Sequence, residues 1–306
     1  MTRFSILTVL IILMFSCKNT SKETLSELHT SNKTEIIKNE DFELIKVANQ
    51  KGILVLFPGY GHVSEDSKTE FNIIDLAKNN GFSVLYMSFN QHVFLRDDEK
   101  ASLTKEMLAI FETNKLPFEN IYIGGFSSGG NVSLLLSDYL IKTKSKIQPK
   151  GVFIGDSPVD LLKIYQNCEK NIVKNFNEQT VEESKWIVGD FDAKLGSPKK
   201  GIEKYEQFSP YIQQTGNIEN VSALKNTKVR LYTEPDVAWW KKDSDQSYEE
   251  MNAYSIEKLS QELKKQGFSN VELIQTKNKG YRANGDRHPH SWSIIDKENL
   301  IQWMLQ

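Results

Sequence analysis

The 306-residue chain has few cysteines, no excess of basic charge and no apolar run long enough to span a bilayer comfortably. Lys and Arg number 38 against 40 Asp and Glu, so no basic face is expected and nucleic acid is excluded as a partner. Hydrophobic residues make up 39% and charged residues 25%, a balance typical of a soluble globular protein with a sizeable core. This composition excludes a disordered or fibrous chain.

The N-terminus departs from that average. Arg3 precedes an apolar stretch over residues 4–15, which ends at Ser16 and Cys17. This order of charge, apolar segment and small residues is typical of a signal peptide, and Met14 to Cys17 resembles a bacterial lipobox in which the cysteine is acylated. We therefore predict export and lipid anchoring through Cys17 to the bacterial membrane, facing the periplasm or the cell surface. A plain secretory signal and an uncleaved anchor are the alternatives.

The sequence divides into three parts: residues 1–17 as the signal and lipobox, 18–41 as a flexible tether, and 42–306 as the folded domain. The tether is predicted from its content of Lys, Ser, Thr, Asn and Glu with few large apolar groups. With Cys17 acylated, Cys168 is the only other thiol and no intramolecular disulfide forms. Cys168 is expected to be a partly buried, chemically inert side chain.

Strand and helix patterns alternate along the folded part. Apolar runs and alternating segments predict strands at 42–47, 53–57, 82–89, 121–123, 151–155, 228–233 and 271–275. Helical spacing predicts helices at 69–79, 99–114, from Ser128 onward, at 248–266 and at 294–305. The polar segment 157–227 is expected to be helical only in patches. This order predicts an α/β fold with a mostly parallel, doubly wound sheet covered on both faces.

The strongest motif is Gly125-Phe126-Ser127-Ser128-Gly129, which fits Gly-x-Ser-x-Gly between a buried strand and a helix. Glycines two residues on either side allow a tight turn that exposes the serine hydroxyl. We predict Ser127 as a nucleophile. Ser128 is the rival hydroxyl, and a purely structural or phosphate-binding turn is the alternative.

A serine hydroxyl needs a base to take its proton, and the chain has five histidines. His29 lies in the predicted tether, while His62 and His92 follow early strands. His288 and His290 lie between the last strand and the last helix, and His290 is favoured because it immediately precedes the helix. His288 stays open as the alternative base, and a zinc pair is disfavoured because no cysteine or carboxylate cluster is near.

The base needs a carboxylate that orients it, expected after a late strand in the order serine, acid, histidine. Asp236 follows the strand at 228–233 and is the favoured acid. Glu234 is its near rival. Asp156 and Asp160 follow the preceding strand and stay open as alternatives.

A developing oxyanion needs preorganised donors, for which backbone amides are suited. The amide of Ser128 is one expected donor. The second is expected from the loop Pro58-Gly59-Tyr60-Gly61-His62, where we assign the amide of Tyr60 because Gly59 allows close backbone approach. The alternative is an ordinary turn at the end of a strand.

These motifs together resemble the α/β-hydrolase family from about residue 42 to the end, apart from the insertion at 157–227. The segment Phe208-Ser209-Pro210-Tyr211 is also similar to dienelactone-hydrolase-like and peptidase-like members. The resemblance implies a triad of Ser127, Asp236 and His290 that works through an acyl-enzyme without metal or organic cofactor. It implies a small-molecule or acylated substrate, with a carboxylic ester favoured over a peptide. The chain lacks the His-Gly-Gly oxyanion loop of lipase and esterase members, which leaves the substrate class open.

Several residues are candidates for binding substrate. The insertion at 157–227 occupies the place where this family keeps a cap over its pocket. Trp239, Trp240 and His62 are candidate substrate contacts, although the tryptophans could instead pack a loop on the domain. A cluster of charged residues in the histidine loop either pairs internally or binds an anion: Arg282, Asp286 and Arg287. An acyltransferase with the same triad and a non-catalytic binding lipoprotein are the alternative functions.

Overall fold

The computed structural model describes residues 34–306 except residue 90. Its sheet has eight strands in the order β1-β2-β4-β3-β5-β6-β7-β8, in which β1, β2 and β4 pair antiparallel and all later pairs are parallel. The predicted α/β class with a mostly parallel sheet is confirmed. The strands are β1 Thr34–Lys38, β2 Phe42–Val47, β3 Gly52–Phe57, β4 Phe82–Met87, β5 Ile121–Phe126, β6 Pro149–Gly155, β7 Lys228–Thr233 and β8 Val271–Gln275.

Helices cover both faces of this sheet. The described α-helices are α1 Ser64–Phe71, α2 Ile74–Asn79, α3 Asp97–Thr113, α4 Ser128–Lys142, α5 Leu161–Lys174, α6 Glu178–Lys194, α7 Glu203–Phe208, α8 Val237–Ser244, α9 Asn252–Lys265 and α10 Lys297–Leu305. Short 3₁₀ segments lie at Pro198–Lys200, Glu219–Asn226, Tyr248–Glu250 and Trp292–Ile294. None of the described helices is long and apolar enough to cross a membrane.

The central strands read as continuous apolar runs because both of their faces are covered. Every residue of β3, β4 and β5 is buried. Along β3, Ile53 and Val55 pack with α3 and α4 on one face, while Leu54 packs with α1, α2 and α10 on the other. A strand buried on both sides needs no polar alternation, as its sequence indicates.

The folded part begins earlier than predicted, so the tether assigned to residues 18–41 is wrong at its C-terminal end. Thr34–Lys38 forms the edge strand β1, which pairs with β2 from Thr34 opposite Val47 to Lys38 opposite Glu43. Its polar composition fits an edge strand with exposed side chains; Ile36 is 67% exposed. The predicted signal, Cys17 and the tether up to residue 33 lie outside the described residues.

The predicted single helix at 69–79 is two helices. Asn72 adopts a left-handed conformation (φ 44°), which ends α1 and lets the chain restart as α2. Asparagine is among the residues that enter this region at least cost.

Helix α8, whose eight residues follow directly after Asp236, was not predicted from the sequence.

The segment 157–227, which we call the cap, is more helical than predicted. Its helices α5 and α6 are 14 and 17 residues long. Leu161, Tyr165 and Phe191 are buried in the same apolar cluster as α3 and α4. The cap is therefore joined to the main core by packing.

Candidate active site

The turn after β5 carries Ser127 in a strained conformation at the carboxyl edge of the sheet. Its backbone has φ 54° and ψ −129°, a combination that non-glycine residues rarely adopt. The Ser127 N–H donates to the carbonyl of Gly155 at the end of β6, at 2.8 Å. This bond and the start of α4 at Ser128 hold the strained residue in place.

The two glycines of the motif are required by close backbone approach. A Cβ on Gly125 would lie 2.2 Å from the carbonyl oxygen of Gly129, and a Cβ on Gly129 would lie 2.3 Å from that of Pro58. Any larger residue at either position would push the turn away from α4 or from the loop after β3. The motif therefore has the strand-turn-helix geometry that exposes a nucleophile.

The structure brings His290 and Ser127 together. His290 Nε2 lies 3.1 Å from Ser127 Oγ, and its ring packs on Phe126 with centroids 4.5 Å apart. Ser128 Oγ, the rival hydroxyl, is buried and has no hydrogen-bond partner among the described residues. The geometry therefore selects Ser127 over Ser128 and His290 over His288.

The carboxylate that meets the base is Asp156, so the assignment of Asp236 as the acid is wrong. His290 Nδ1 lies 2.7 Å from Asp156 Oδ2, and Thr233 Oγ1 donates to Asp156 Oδ1 at 2.6 Å. Asp156 is 5% exposed and follows β6 in a left-handed conformation, with φ 44°. Aspartate tolerates that region better than most residues, which lets its side chain turn toward the histidine.

Asp236 and Glu234 have a different task. Asp236 Oδ1 accepts from the Trp239 amide as the N-cap of α8, and its Oδ2 accepts from Arg287 at 2.6 Å. The side chain of Glu234 is buried and also accepts from Arg287. Its other oxygen accepts from the amides of Lys279 and Gly280 at 2.8 and 3.1 Å. These carboxylates therefore hold the loop that carries the histidines.

The expected oxyanion donors border Ser127. Ser128 is the first residue of α4, so its N–H has no acceptor within the helix. The loop that contains Tyr60 lies beside Ser127, because a Cβ on Gly59 would come 3.4 Å from Ser127 Cβ. Both backbone segments that were expected to supply oxyanion donors thus lie next to the serine.

A cavity of about 830 Å³ opens over Ser127 between the sheet edge and the cap. Trp239 and Trp240 of α8 line it and also contact His288, with ring centroids 4.8 and 5.9 Å apart, so they pack on the histidine loop, and their contact with a substrate stays a prediction. Tyr60 lines the same cavity, and its ring contacts Trp186 of α6 at 4.8 Å.

Of the other residues that were predicted to contact substrate, some line the cavity and one is held in ion pairs. His62 lines the cavity and lies 3.6 Å from Asp66. Arg282 lines it as well, whereas Arg287 is held by Glu234 and Asp236. The charged residues of the histidine loop are thus neither one internally paired cluster nor one anion site. Within the described part of the chain, no group of three or more His, Cys, Asp or Glu side chains is arranged to hold a metal ion.

Asp236 was favoured over Asp156 as the carboxylate partner of the histidine, but the position of Asp156 along the chain already points to it. It is the first polar residue after the apolar strand β6, just as Ser127 follows β5. Because β6 is the hydrogen-bonded neighbour of β5 and β7 is one strand further away, an acid after β6 is closer to the serine. The sequence alone does not reveal that neighbour relation.

No family model matches the chain, and no curated protein sequence matches it. Solved structures do. The carboxyl esterase TmelEST2 from the mycorrhizal fungus Tuber melanosporum is 16% identical, with 90% of this chain and 85% of that chain covered and a TM-score of 0.54. A putative esterase from Staphylococcus aureus is 13% identical over 91% and 83%, with a TM-score of 0.52. An alpha-beta hydrolase from Vibrio vulnificus is 15% identical over 95% and 87%, with a TM-score of 0.50. The chain therefore has the α/β-hydrolase fold.

We predict that His288 stays uncharged well below neutral pH. Burial, followed by the positive charge of Arg282, lowers its pKa from 6.5 to about 4. The unfolded chain takes up a proton near pH 6.5, so the contribution of His288 to stability is present above that pH and is lost as the pH falls toward 4. Histidine NMR titration of the wild type and of His288→Gln identifies the resonance and its midpoint. The variant should also lose less stability between about pH 7 and about pH 5 in denaturant unfolding. A His288 midpoint near 6.5 would contradict this prediction.

Proposed function

We propose that the protein is a serine hydrolase that cleaves a carboxylic ester through an acyl-enzyme. The observation that carries the proposal is the continuous hydrogen-bonded chain from Asp156 through His290 to Ser127 Oγ. Such a chain activates a hydroxyl that is otherwise a weak nucleophile. A protein that only binds a ligand has no use for a strained serine with a base and an acid behind it.

In the first half of the proposed reaction, His290 Nε2 takes the proton of Ser127 as Oγ attacks the ester carbonyl. Asp156 holds the imidazole through Nδ1 and stabilises the imidazolium. His290 then gives this proton to the leaving alcohol, which departs and leaves the acyl group on Ser127. In the second half, His290 takes a proton from a water molecule that attacks the acyl carbonyl. His290 then returns this proton to Ser127 Oγ as the bond to the acyl group breaks and the acid is released. The two steps need neither metal nor organic cofactor.

The amides of Ser128 and Tyr60 are proposed to stabilise the tetrahedral intermediates. Donors that are already oriented toward the site of developing negative charge cost no reorganisation during the reaction. The Ser128 amide is left free by its position at the helix start, and Gly59 keeps the Tyr60 segment close to the serine. Backbone donors cannot be removed by a side-chain substitution, so this assignment is tested through inhibitor geometry rather than by mutation.

An ester is favoured over a peptide as the substrate by fold-level analogy, since the similar structures include a carboxyl esterase from Tuber melanosporum and a putative esterase from Staphylococcus aureus. The shared fold supports only the class of reaction, whereas the identity of the substrate has to be inferred from the residues that line the pocket.

A fluorophosphonate probe tests the proposed nucleophile. Wild-type protein should be labelled covalently, because the probe reacts with an activated serine. Ser127→Ala should abolish labelling and ester hydrolysis, whereas Ser128→Ala should retain both, since the adjacent serine keeps its hydroxyl outside the hydrogen-bonded chain. Mass spectrometry of the labelled peptide locates the adduct. Labelling that survives Ser127→Ala and is lost in Ser128→Ala would overturn the assignment.

A matched pair of substitutions tests the acid. Asp156→Asn should lower kcat by about 10⁴, because an amide stabilises neither the required tautomer nor the imidazolium. Asp236→Asn preserves the helix cap and removes one partly exposed ion pair, so we expect a loss of less than about tenfold. Steady-state hydrolysis of p-nitrophenyl acetate measures both. A larger loss of kcat in Asp236→Asn than in Asp156→Asn would show instead that Asp236, which follows β7, is the acid.

We also propose that Cys17 carries a lipid that holds the enzyme at the bacterial membrane, facing the periplasm or the cell surface. The support is the sequence of residues 1–17 alone. Expressed in a bacterial host with radiolabelled palmitate, the wild type should incorporate label and partition into detergent, and Cys17→Ser should do neither. Cys168→Ser is the matched control and should behave as the wild type. Equal partitioning of the Cys17→Ser protein would contradict the anchor.

A further inference from the structure

The walls of the cavity are unusually polar for a site that binds an ester. Ligand pockets are as a rule lined mainly by apolar side chains with a few polar groups. Here hydroxyl, amide and charged side chains outnumber aliphatic ones. Six of the lining residues are carboxamides: Asn167, Asn171, Asn177, Gln179, Gln246 and Asn252. The four asparagines each donate one hydrogen bond to a protein oxygen, which orients their amide groups.

One of these amides presents an unpaired acceptor. Asn167 lies on α5 of the cap, and its Nδ2 donates to the carbonyl of Glu250 at 3.0 Å. That bond uses the donor end of the amide and leaves its acceptor end, Oδ1, unpaired. Its Oδ1 is buried and has no partner among the described residues. A ligand hydroxyl that donates to Oδ1 would satisfy it.

His288, which also lines the cavity, has a second unpaired polar atom. Its Nδ1 is buried without a hydrogen-bond partner among the described residues, and its ring is held by Trp239 and Trp240. The low pKa keeps the ring neutral, so one nitrogen donates and the other accepts. Only a ligand group that both donates and accepts, such as a hydroxyl, matches either tautomer.

Aromatic rings complete the walls. Trp186 of the cap is 44% exposed and Tyr60 is 37% exposed, and the two rings, whose planes are inclined by 56°, form an aromatic border to the cavity. Large exposed rings beside polar groups suit a ligand that has apolar C–H faces and polar edges. A sugar ring has this alternation, whereas a long acyl chain offers no hydrogen bond to the polar atoms of the lining that remain unpaired.

The charges of the lining disfavour an ionic ligand. Glu183 and Asp243 would repel an anion, and Arg282 would repel a cation. Glu250 is already paired with Lys174 at 2.8 Å. A neutral ligand meets none of these penalties.

We propose that the cavity recognises a neutral polyhydroxylated ring, so that the substrate of the proposed hydrolase is an O-acylated sugar. The inference rests on the proposed function for the bond that is cleaved. It assigns Asn167 and His288 to recognition of ring hydroxyls, and the aromatic border of Tyr60 and Trp186 to the faces of the ring.

Three acetate esters with the same acyl group test the proposal: mono-O-acetylated methyl glucosides, cyclohexyl acetate and acetylcholine. Acetate release gives kcat/KM for each. We expect the acetylated glucosides to exceed cyclohexyl acetate by at least about tenfold, because a site built around hydroxyl groups rejects analogues that lack them. A kcat/KM for cyclohexyl acetate or acetylcholine that equals or exceeds that of the glucosides would overturn the proposal.

A matched pair of variants on α5 locates the recognition. Asn167→Leu should lower kcat/KM for the acetylated glucosides by about tenfold or more and leave cyclohexyl acetate unchanged, since only the former loses a hydrogen bond. Gln166→Leu on the same helix makes the same kind of change outside the cavity and should alter neither. Equal losses on both esters in Asn167→Leu would contradict recognition by this amide.

Fluorophosphonate labelling of Ser127 in the same preparation distinguishes a failure of the proposed substrate class from a failure of the proposed serine hydrolase. Labelled protein that fails to prefer the acetylated glucosides contradicts the substrate class and leaves the serine hydrolase in place. Protein that is neither labelled nor active contradicts both. Thermal unfolding of each variant shows whether a loss reflects the site or the fold.

Discussion

Three parallel strands that lie side by side, β5, β6 and β7, end at one edge of the sheet, and backbone hydrogen bonds continue between them past their ends. The Ser127 amide donates to the carbonyl of Gly155, and the Asp156 amide donates to that of Tyr232, both at 2.8 Å. These bonds hold the first residue after β5 and the first after β6 in adjacent left-handed turns. The distance between the serine and its carboxylate is thereby set by the sheet, and a single histidine can bridge them.

Residues that follow β7 position the histidine indirectly, by anchoring the loop that carries it. Glu234 is buried at the sheet edge, where an unpaired carboxylate would be costly. It is satisfied by Arg287 and by amides of the loop after β8. Asp236 joins the same guanidinium. The loop that carries His290 is therefore anchored by charge-assisted bonds to β7, while the histidine itself is oriented from β6.

The cap completes the site because it shares a core with the sheet. Leu161, Tyr165 and Phe191 pack into the cluster that also contains α3 and α4, so the helices that wall the cavity are held by apolar burial. The cavity side of α5 and α6 is polar for a separate reason, since it faces the space over Ser127. One helix pair thus carries an apolar face for stability and a polar face for the proposed recognition.

The apolar strands, the elbow at Ser127 and the histidine before the last helix are predictable from the sequence, because each is a local pattern of burial or of backbone freedom. The elbow was readable since Gly125 and Gly129 fill spaces that admit no side chain. The acid was decided by the tertiary structure alone. Asp156 and Asp236 both follow apolar strands, and only the pairing of β6 with β5 and the capture of Asp236 by Arg287 separate them. The edge strand β1 was missed, and the cap was expected to be helical only in patches, for the same reason. Their polar sequences become ordered through pairing with β2 and packing on α3 and α4, contacts between residues distant along the chain.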